Sequence, residues 1–265
     1  KLGEIVLKGL NRRSFEQKLT ANVRRRLAPI GKFRVYCLQS IIYVEGEDGA
    51  DMDTAFEALK KVFGVISLTR AAACEKNKYL REDMLRAKSF KVETRRSDKA
   101  FPMTSIELSQ YVGNALSDAY EDIEVDVHDP ELVVHIEVRD LAAYVHAMPV
   151  HGAGGLPVGC SGTAVTLLSG GIDSPVSTYM IAKRGVHLIP VHFFSFPYTS
   201  QQAKDKVIEL GRLLTEYCGK MTMEVVPFTH IQTEIRDKCP EEYFTLIMRR
   251  FMMRTAEKIA RKTGC

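Results

Sequence analysis

The six residues Ser169–Gly170–Gly171–Ile172–Asp173–Ser174 are the segment of this sequence best suited to chemistry. Paired glycines in a turn let a ligand approach the backbone closely and permit unusual torsions. Successive N–H groups there, together with the N-terminus of a following helix, make a cradle for an anion. Ser169 and Ser174 add hydroxyl donors, and Pro175 suits a first helical turn. The Lys-Ser/Thr of a P-loop is missing and the spacing is not GxGxxG, which disfavours a dinucleotide site. Phosphate would therefore be held by backbone, hydroxyls and helix dipole. Asp173 is the odd member, because a carboxylate repels phosphate unless it orients Mg2+ or the loop backbone. The plain alternative is that Asp173 caps a helix.

The flanking elements must position that loop. A buried-type strand (Thr163–Leu168) enters it and a helix (Pro175–Lys183) leaves it. A strand (Val186–Phe193), a helix (Ser200–Tyr217), a strand (Thr222–Pro227) and a long helix (Glu241–Lys262) follow. Phe244, Ile247, Met248, Phe251 and Met252 are expected to be the buried stripe of that last helix. Continuous apolar strands alternating with amphipathic helices predict a parallel sheet covered on both faces, with ligands at the carboxyl ends of its strands.

Upstream, an apolar run (Ile5–Leu7), a helix (Arg13–Leu27), two strands (Phe33–Cys37 and Ile41–Glu45), a helix (Met52–Val62) and a strand (Gly64–Thr69) give a ferredoxin-like βαββαβ order. Between the two regions lie a helix (Leu80–Lys88), a strand (Ser89–Glu93), a helix (Ser105–Ala119) and two strands (Leu132–Arg139 and Ala142–Met148) joined at Asp140–Leu141. The glycine-rich His151–Gly159 reads as a flexible linker. The expected division is residues 1–72, ferredoxin-like; 73–153, with a boundary as far forward as about residue 45; and 154–265. The chain starts at Lys1 inside a strand and stops at Cys265 where another strand is due, so residues are expected beyond both ends.

Composition narrows the class. With 45% hydrophobic and 26% charged residues the chain is an ordinary globular protein, and with no run of eighteen apolar residues it should span no membrane. The six cysteines show no CxxC spacing, so reduced thiols are expected rather than structural zinc or a disulfide framework. Charge is segregated. Residues 1–100 carry 22 basic against 13 acidic side chains, whereas 101–150 carry only Arg139 against ten acids. A basic half suits a polyanion such as RNA, or it is simply a solvated face.

SGGIDS resembles the PP-loop of N-type ATP pyrophosphatases. GEIVLKGLNRRSFE near the start, KVETRRSDKAFPMTS at Lys91–Ser105, the glycine segment, VHFFSFPYTS at Val191–Ser200 and IMRRFMMRTAEKIA at Ile247–Ala260 are all similar to the ThiI family of tRNA 4-thiouridine synthetases. The resemblance implies a ferredoxin-like domain, a THUMP domain and a PP-loop domain whose sheet is incomplete here. It implies ATP and Mg2+ as cofactors, with Leu167, Leu168, Ser169, Gly170, Gly171, Asp173, Ser174, His192, Phe193 and Arg249 at the nucleotide. The reaction implied is adenylation of the C4 oxygen of uridine at position eight of tRNA, followed by sulfur transfer from a cysteine persulfide. That family's cysteine matches none of the six here. Lys91, Arg95, Arg96 and Lys99, with Arg12, Arg13 and Arg24–Arg26 as a second patch, are the candidate RNA contacts. Partners implied are tRNA, a cysteine desulfurase, in some members a sulfur carrier for thiamine synthesis, and a second copy in a homodimer. The location implied is the cytoplasm.

Two rivals remain at this level: a PP-loop enzyme acting on a small molecule, and a non-catalytic THUMP RNA-binding protein. The 150-residue N-terminal half, basic in its first two-thirds, speaks against the first and the intact SGGIDS against the second.

Overall fold

A computed structural model of the chain describes residues 11–47, 49–71, 78–97, 101–139, 142–147 and 149–265, with Lys78 and Tyr79 described in backbone only. The expected strand at Ile5–Leu7, the Asp140–Leu141 turn and Lys99 lie outside these residues. The chain forms two compact units, one of residues 1–67 with 151–265, the other of 68–150. No helix among the described residues is long and apolar enough to cross a membrane.

In the first unit, α1 (Arg12–Leu27) buries Leu19, Val23 and Leu27, one residue per turn, on one face. That face meets Val35 of the hairpin β1 (Phe33–Leu38) and β2 (Ile41–Gly46). The two-residue turn, Gln39–Ser40, has positive φ at both positions, as a hairpin twisted like its strands requires. The Ser40 hydroxyl donates to Glu16 (2.7 Å), tying the turn back to α1. Asp51 caps α2 (Met52–Lys60), accepting from the amides of Asp53 and Thr54.

After α2 the strand expected over Gly64–Thr69 shrinks to β3 (Ser67–Leu68), because its first residues bond to the glycine segment instead. Gly64 N–H donates to Gly154, Gly152 N–H to Ile66 and Gly154 N–H to Val65. The flexible-linker reading of His151–Gly159 is therefore corrected. A Cβ on Gly152 would lie 2.4 Å from the Val65 carbonyl oxygen, and one on Gly155 2.4 Å from that of Lys183. These glycines serve close approach, and they strap the first region to the third.

Side chains complete the union. Phe63 lies in one core with Leu168, Ala182, Leu188, Val207, Leu214 and Cys218, its ring edge-on to Tyr179 at 5.0 Å. The ferredoxin-like region and the loop-bearing sheet thus share a hydrophobic core.

In the second unit, α3 (Lys78–Arg86), β4 (Ser89–Arg96), α4 (Ser105–Ala119), β5 (Glu124–Val125), β6 (Leu132–Val138) and β7 (Ala143–His146) lead to β8 (Val150–His151), where the chain returns. Its sheet runs β5-β4-β6-β7, with β4 parallel to β5 and β6. β6 alternates buried and half-buried residues without a break, the mark of a strand with one face on a core. Phe90, Val134, Met84 and Leu132 fill that core. Thr104 and Glu107 form a reciprocal capping box at the start of α4.

The loop-bearing part of the first unit is a parallel sheet, β11-β10-β9, made of β9 (Thr163–Leu167), β10 (His187–Phe194) and β11 (Glu224–Pro227). Its helices are α5 (Asp173–Ala182), α6 (Gln201–Cys218), α7 (Thr229–Lys238) and α8 (Phe244–Thr263). α7, which the sequence reading passes over, is fixed by buried Ile235. The helix expected from Glu241 begins at Phe244, behind a 3-10 turn over Glu241–Tyr243. Its proposed buried stripe is only half-buried at Phe244, Ile247, Met248 and Met252, Phe251 is 39% exposed, and Ala256 alone is fully buried. α8 leans on β9, an edge strand here, so it meets apolar surface along only part of one side.

Phe63→Ala is expected to lower stability by about 3–5 kcal/mol, read from chemical denaturation. Lys61→Ala, which breaks the exposed pair with Glu216 and a long cation–π contact with Tyr217, is expected to change it by less than about 1 kcal/mol.

Candidate nucleotide site

β9 delivers the chain to the carboxyl edge of the sheet, and its last ladder partner is Leu167 opposite Val191. Both peptide groups of the next residue are then engaged. Leu168 N–H donates to Val191 (2.9 Å), and its carbonyl lies 3.1 Å from His192 Nδ1. Since a carbonyl only accepts, Nδ1 carries the proton and Nε2 keeps its lone pair. Burial pushes the His192 pKa down, with the Lys204 ammonium adding in the same direction against the carbonyl bond. The ring is therefore neutral at neutral pH and offers an acceptor at the sheet edge.

The loop closes through its two serines. Ser169 N–H donates to Ser174 Oγ (2.9 Å), the two hydroxyls are 3.1 Å apart, and Ser174 Oγ is 3.2 Å from the Ser169 carbonyl. Thr178 donates to the Ser174 carbonyl (2.7 Å) and meets Thr166 Oγ1 at 3.0 Å, so a buried hydroxyl of α5 braces the clasp from below.

The expectation of unusual torsions in this loop is not met, because neither Gly170 nor Gly171 has positive φ. Nor does packing demand glycine. A Cβ on Gly170 would find Lys206 and Val207 no closer than 3.7 Å, and one on Gly171 would find the Ser169 hydroxyl at 3.7 Å. Both are ordinary contacts. A ligand lying on the loop amides gives the remaining physical reason for two glycines.

α5 begins directly behind them. Its N-cap, Ile172, supplies no side-chain hydrogen bond, and Asp173 is not the cap but an exposed residue of the first turn. With no side chain capping that end, the first-turn amides and the helix dipole are available to an anion. Asp173 would oppose a bare phosphate and suit a phosphate carrying a divalent cation. Mg2+ is commonly held by one or two carboxylates together with phosphate oxygens, and an exposed carboxylate beside the loop fits that role. No cluster of three or more His, Cys, Asp or Glu suited to a metal occurs among the described residues.

The other predicted positions fall as follows. Leu168 is buried and Leu167 partly exposed at the strand end. Phe193 alternates with His192 along β10, so its ring turns to the other face and packs edge-on to Phe228 (5.1 Å). Arg249 is exposed on α8, which packs against β9. Sequence reasoning missed Lys206, whose aliphatic chain overlies Gly170, and Lys204, whose ammonium is 5.1 Å from the Phe194 ring. The signal was present as two lysines just inside the Ser200-capped start of α6.

The RNA candidates divide. Arg95 is exposed on β4, and Lys91 beside it pairs with Glu93 (2.9 Å). Arg96 is instead engaged by the carbonyls of Phe101 and Met103, holding the turn before α4. In α1, Arg13 is exposed, Arg12 pairs with Glu16 (2.8 Å), and Arg24 and Arg26 donate to the carbonyls of Val35 and Thr215.

Comparisons with known proteins bear on the family and the fold. The family model described as Thiamine biosynthesis protein (ThiI) matches residues 159–265, the ThiI ferredoxin-like domain matches 1–69 and the THUMP domain matches 69–146. The probable tRNA sulfurtransferase of Acetivibrio thermocellus is 46% identical over 99% of this chain and 70% of its own length. That of Alkaliphilus metalliredigens is 44% identical over 99% of this chain and 69% of its own. Among solved structures, a 4-thiouridine synthetase–RNA complex with bound ATP superposes with a TM-score of 0.90 at 32% identity, covering 100% of this chain and 70% of that one.

Gly170→Ala is expected to leave the unfolding midpoint in place and to weaken ATP binding about tenfold or more by calorimetry. A folding defect with ATP affinity intact would mean that the glycine serves the fold.

Proposed function

We propose that this chain, which belongs to the ThiI family, acts as an ATP-dependent tRNA sulfurtransferase that makes 4-thiouridine at position eight. The observation that carries the reading is the SGGIDS loop, with two glycines that neither torsion nor packing requires, at an N-terminus that no side chain caps.

The chemistry follows from what such a site can do. A uracil C4 carbonyl oxygen is a poor leaving group. Its attack on the α-phosphorus of ATP forms an O–P bond and breaks the bond to the β-phosphate, so pyrophosphate departs. Loop amides, the Ser169 and Ser174 hydroxyls and the start of α5 take up the negative charge gathering on that leaving group. Magnesium, held by Asp173 together with the phosphates, would supply further charge neutralisation. The outer persulfide sulfur then adds at C4, AMP leaves with the original oxygen, and a second thiol takes the carrier cysteine as a disulfide, so that one sulfur stays on C4. Neutral His192, with its Nε2 acceptor, suits the exocyclic amine of adenine, and Arg249 is the basic residue assigned to ATP.

The persulfide is assigned to no cysteine of this chain. Burial pushes the Cys218 thiol up to about 11, and burial also raises that of Cys37, so neither supplies thiolate readily. The proposed persulfide source is a cysteine desulfurase. Transfer to a carrier protein for thiazole synthesis, a homodimeric state and a cytoplasmic location complete the reading.

For tRNA, Arg95 with Lys91, and Arg13 with Arg25, are the phosphate contacts proposed. Arg96, Arg24 and Arg26 are left to structure, because their guanidinium groups already serve backbone carbonyls.

In the intact polypeptide, ATP–pyrophosphate exchange should depend on unmodified tRNA, and thiolated nucleoside should appear when sulfur donor is added. Asp173→Ala should lower both by about a hundredfold or more. Exchange that ignores tRNA would point to a small-molecule substrate, and no exchange at all to a binding protein. Arg95→Glu should weaken tRNA binding and reduce its salt dependence by about one counterion, whereas Arg96→Ala should register first as lost stability.

A further inference from the structure

The strand that carries His192 ends in an aromatic ledge that the reading above does not use. β10 stops at Phe194, and Ser195–Phe196–Pro197–Tyr198–Thr199 leads to α6. Phe196 is 62% exposed and Tyr198 48% exposed. The turn is closed by Thr199 N–H to the Ser195 carbonyl (2.8 Å) and Ser195 N–H to Thr199 Oγ1 (3.0 Å), around a buried Ser195. Thr229 donates to the Phe196 carbonyl (2.8 Å), fixing the turn to the first residue of α7.

Cations stand beside the rings. Arg236 donates to the Tyr198 hydroxyl (2.7 Å) with its guanidinium 5.7 Å from the ring centre, while also pairing with Asp237. Phe194 lies 6.5 Å from Phe196, and the Lys204 ammonium is 5.1 Å from the Phe194 ring. Two large rings exposed on a pinned turn can receive a flat partner without rearranging the backbone.

The chemistry of the neighbouring site says which partner. An enzyme that works on an atom of a base must take that base out of its stack and hold it beside the reacting group. Flat rings with cations beside them match a nucleobase face and its adjoining phosphate. The ledge is also in the right place. Phe196 follows His192 by four residues, two past the end of β10, and His192 is hydrogen-bonded to the residue that precedes the loop.

We infer that Phe196 and Tyr198 form the stacking surface for the uracil that reacts, receiving it once it has left the tRNA stack. The inference rests on the tRNA reading of the preceding section. It adds a base-binding site to a chain whose other proposed RNA contacts are to phosphates.

The test uses the intact enzyme and a tRNA transcript with 5-bromouridine at position eight. Ultraviolet cross-linking is expected to map to the peptide containing Phe196 and Tyr198. With unsubstituted transcript, Phe196→Ala and Tyr198→Ala should each lower kcat/KM for tRNA about tenfold or more, leaving the KM for ATP unchanged. Phe196→Tyr and Tyr198→Phe, which keep a ring, should restore most of the loss. A cross-link confined to other peptides, or alanine variants within about twofold of wild type, overturns the ledge. Wild-type enzyme that forms no 4-thiouridine on the unsubstituted transcript overturns the sulfurtransferase reading itself, a result seen before any variant is compared.

Discussion

The commitment of Leu168 to β10 is the constraint on which the site depends. Its N–H and carbonyl are both engaged across the sheet, and its side chain lies in the core that Phe63 enters from the ferredoxin-like region. The residue can neither extend β9 nor slide along it. Ser169 must therefore turn at the sheet edge, where the Ser174 hydroxyl meets it. A loop of six residues is then spanned by a strand that cannot move and a helix braced through Thr178. Preorganisation of this kind is what lets neutral donors stabilise charge without rearranging at the moment of reaction.

Phe63 extends the same constraint beyond the sheet. A small ferredoxin-like scaffold buries little apolar surface on its own. Here it lends a phenylalanine to a neighbouring core and accepts a glycine strap in return, with Arg26 and Lys61 bonding to Thr215 and Glu216 along the same seam. The seam runs to the C-terminal turn of α6, the helix whose first turns carry Lys204 and Lys206 past the loop. Arg26, Lys61 and Phe63 thus join the ferredoxin-like region to the helix that flanks the loop.

Sequence legibility followed how local each cause is. α4 was read to the residue because its start is written in Thr104 and Glu107, a reciprocal cap three residues apart. The strand–glycine–helix grammar around SGGIDS was equally local, and the strands of the parallel sheet were legible to within one or two residues. Where the cause lay in contacts that composition and spacing do not show, the reading fell short. The glycines of His151–Gly159 look like freedom until Val65 and Lys183 stand against them. Arg96 looks like a contact for RNA until two carbonyls reach its guanidinium. The stripe of α8 was drawn from periodicity, which says which residues share a face and not how much surface that face will meet.

The lack of a P-loop lysine in SGGIDS is informative about the direction of the proposed reaction. A lysine fixed within the loop grips the β- and γ-phosphates as strongly after cleavage as before it. An enzyme that breaks the α–β bond has those two phosphates as its leaving group and must let them go. Amides, hydroxyls and a helix dipole strengthen as charge builds on the departing oxygen, yet they leave no fixed full charge to hold the product. The full positive charges stand beside the loop, on side chains of α6 that can swing aside: Lys206 on an exposed stem and Lys204 against Phe194. On the proposed reading, such a site assists departure of the polyanionic pyrophosphate and then releases it, while the adenylated uracil stays to meet sulfur.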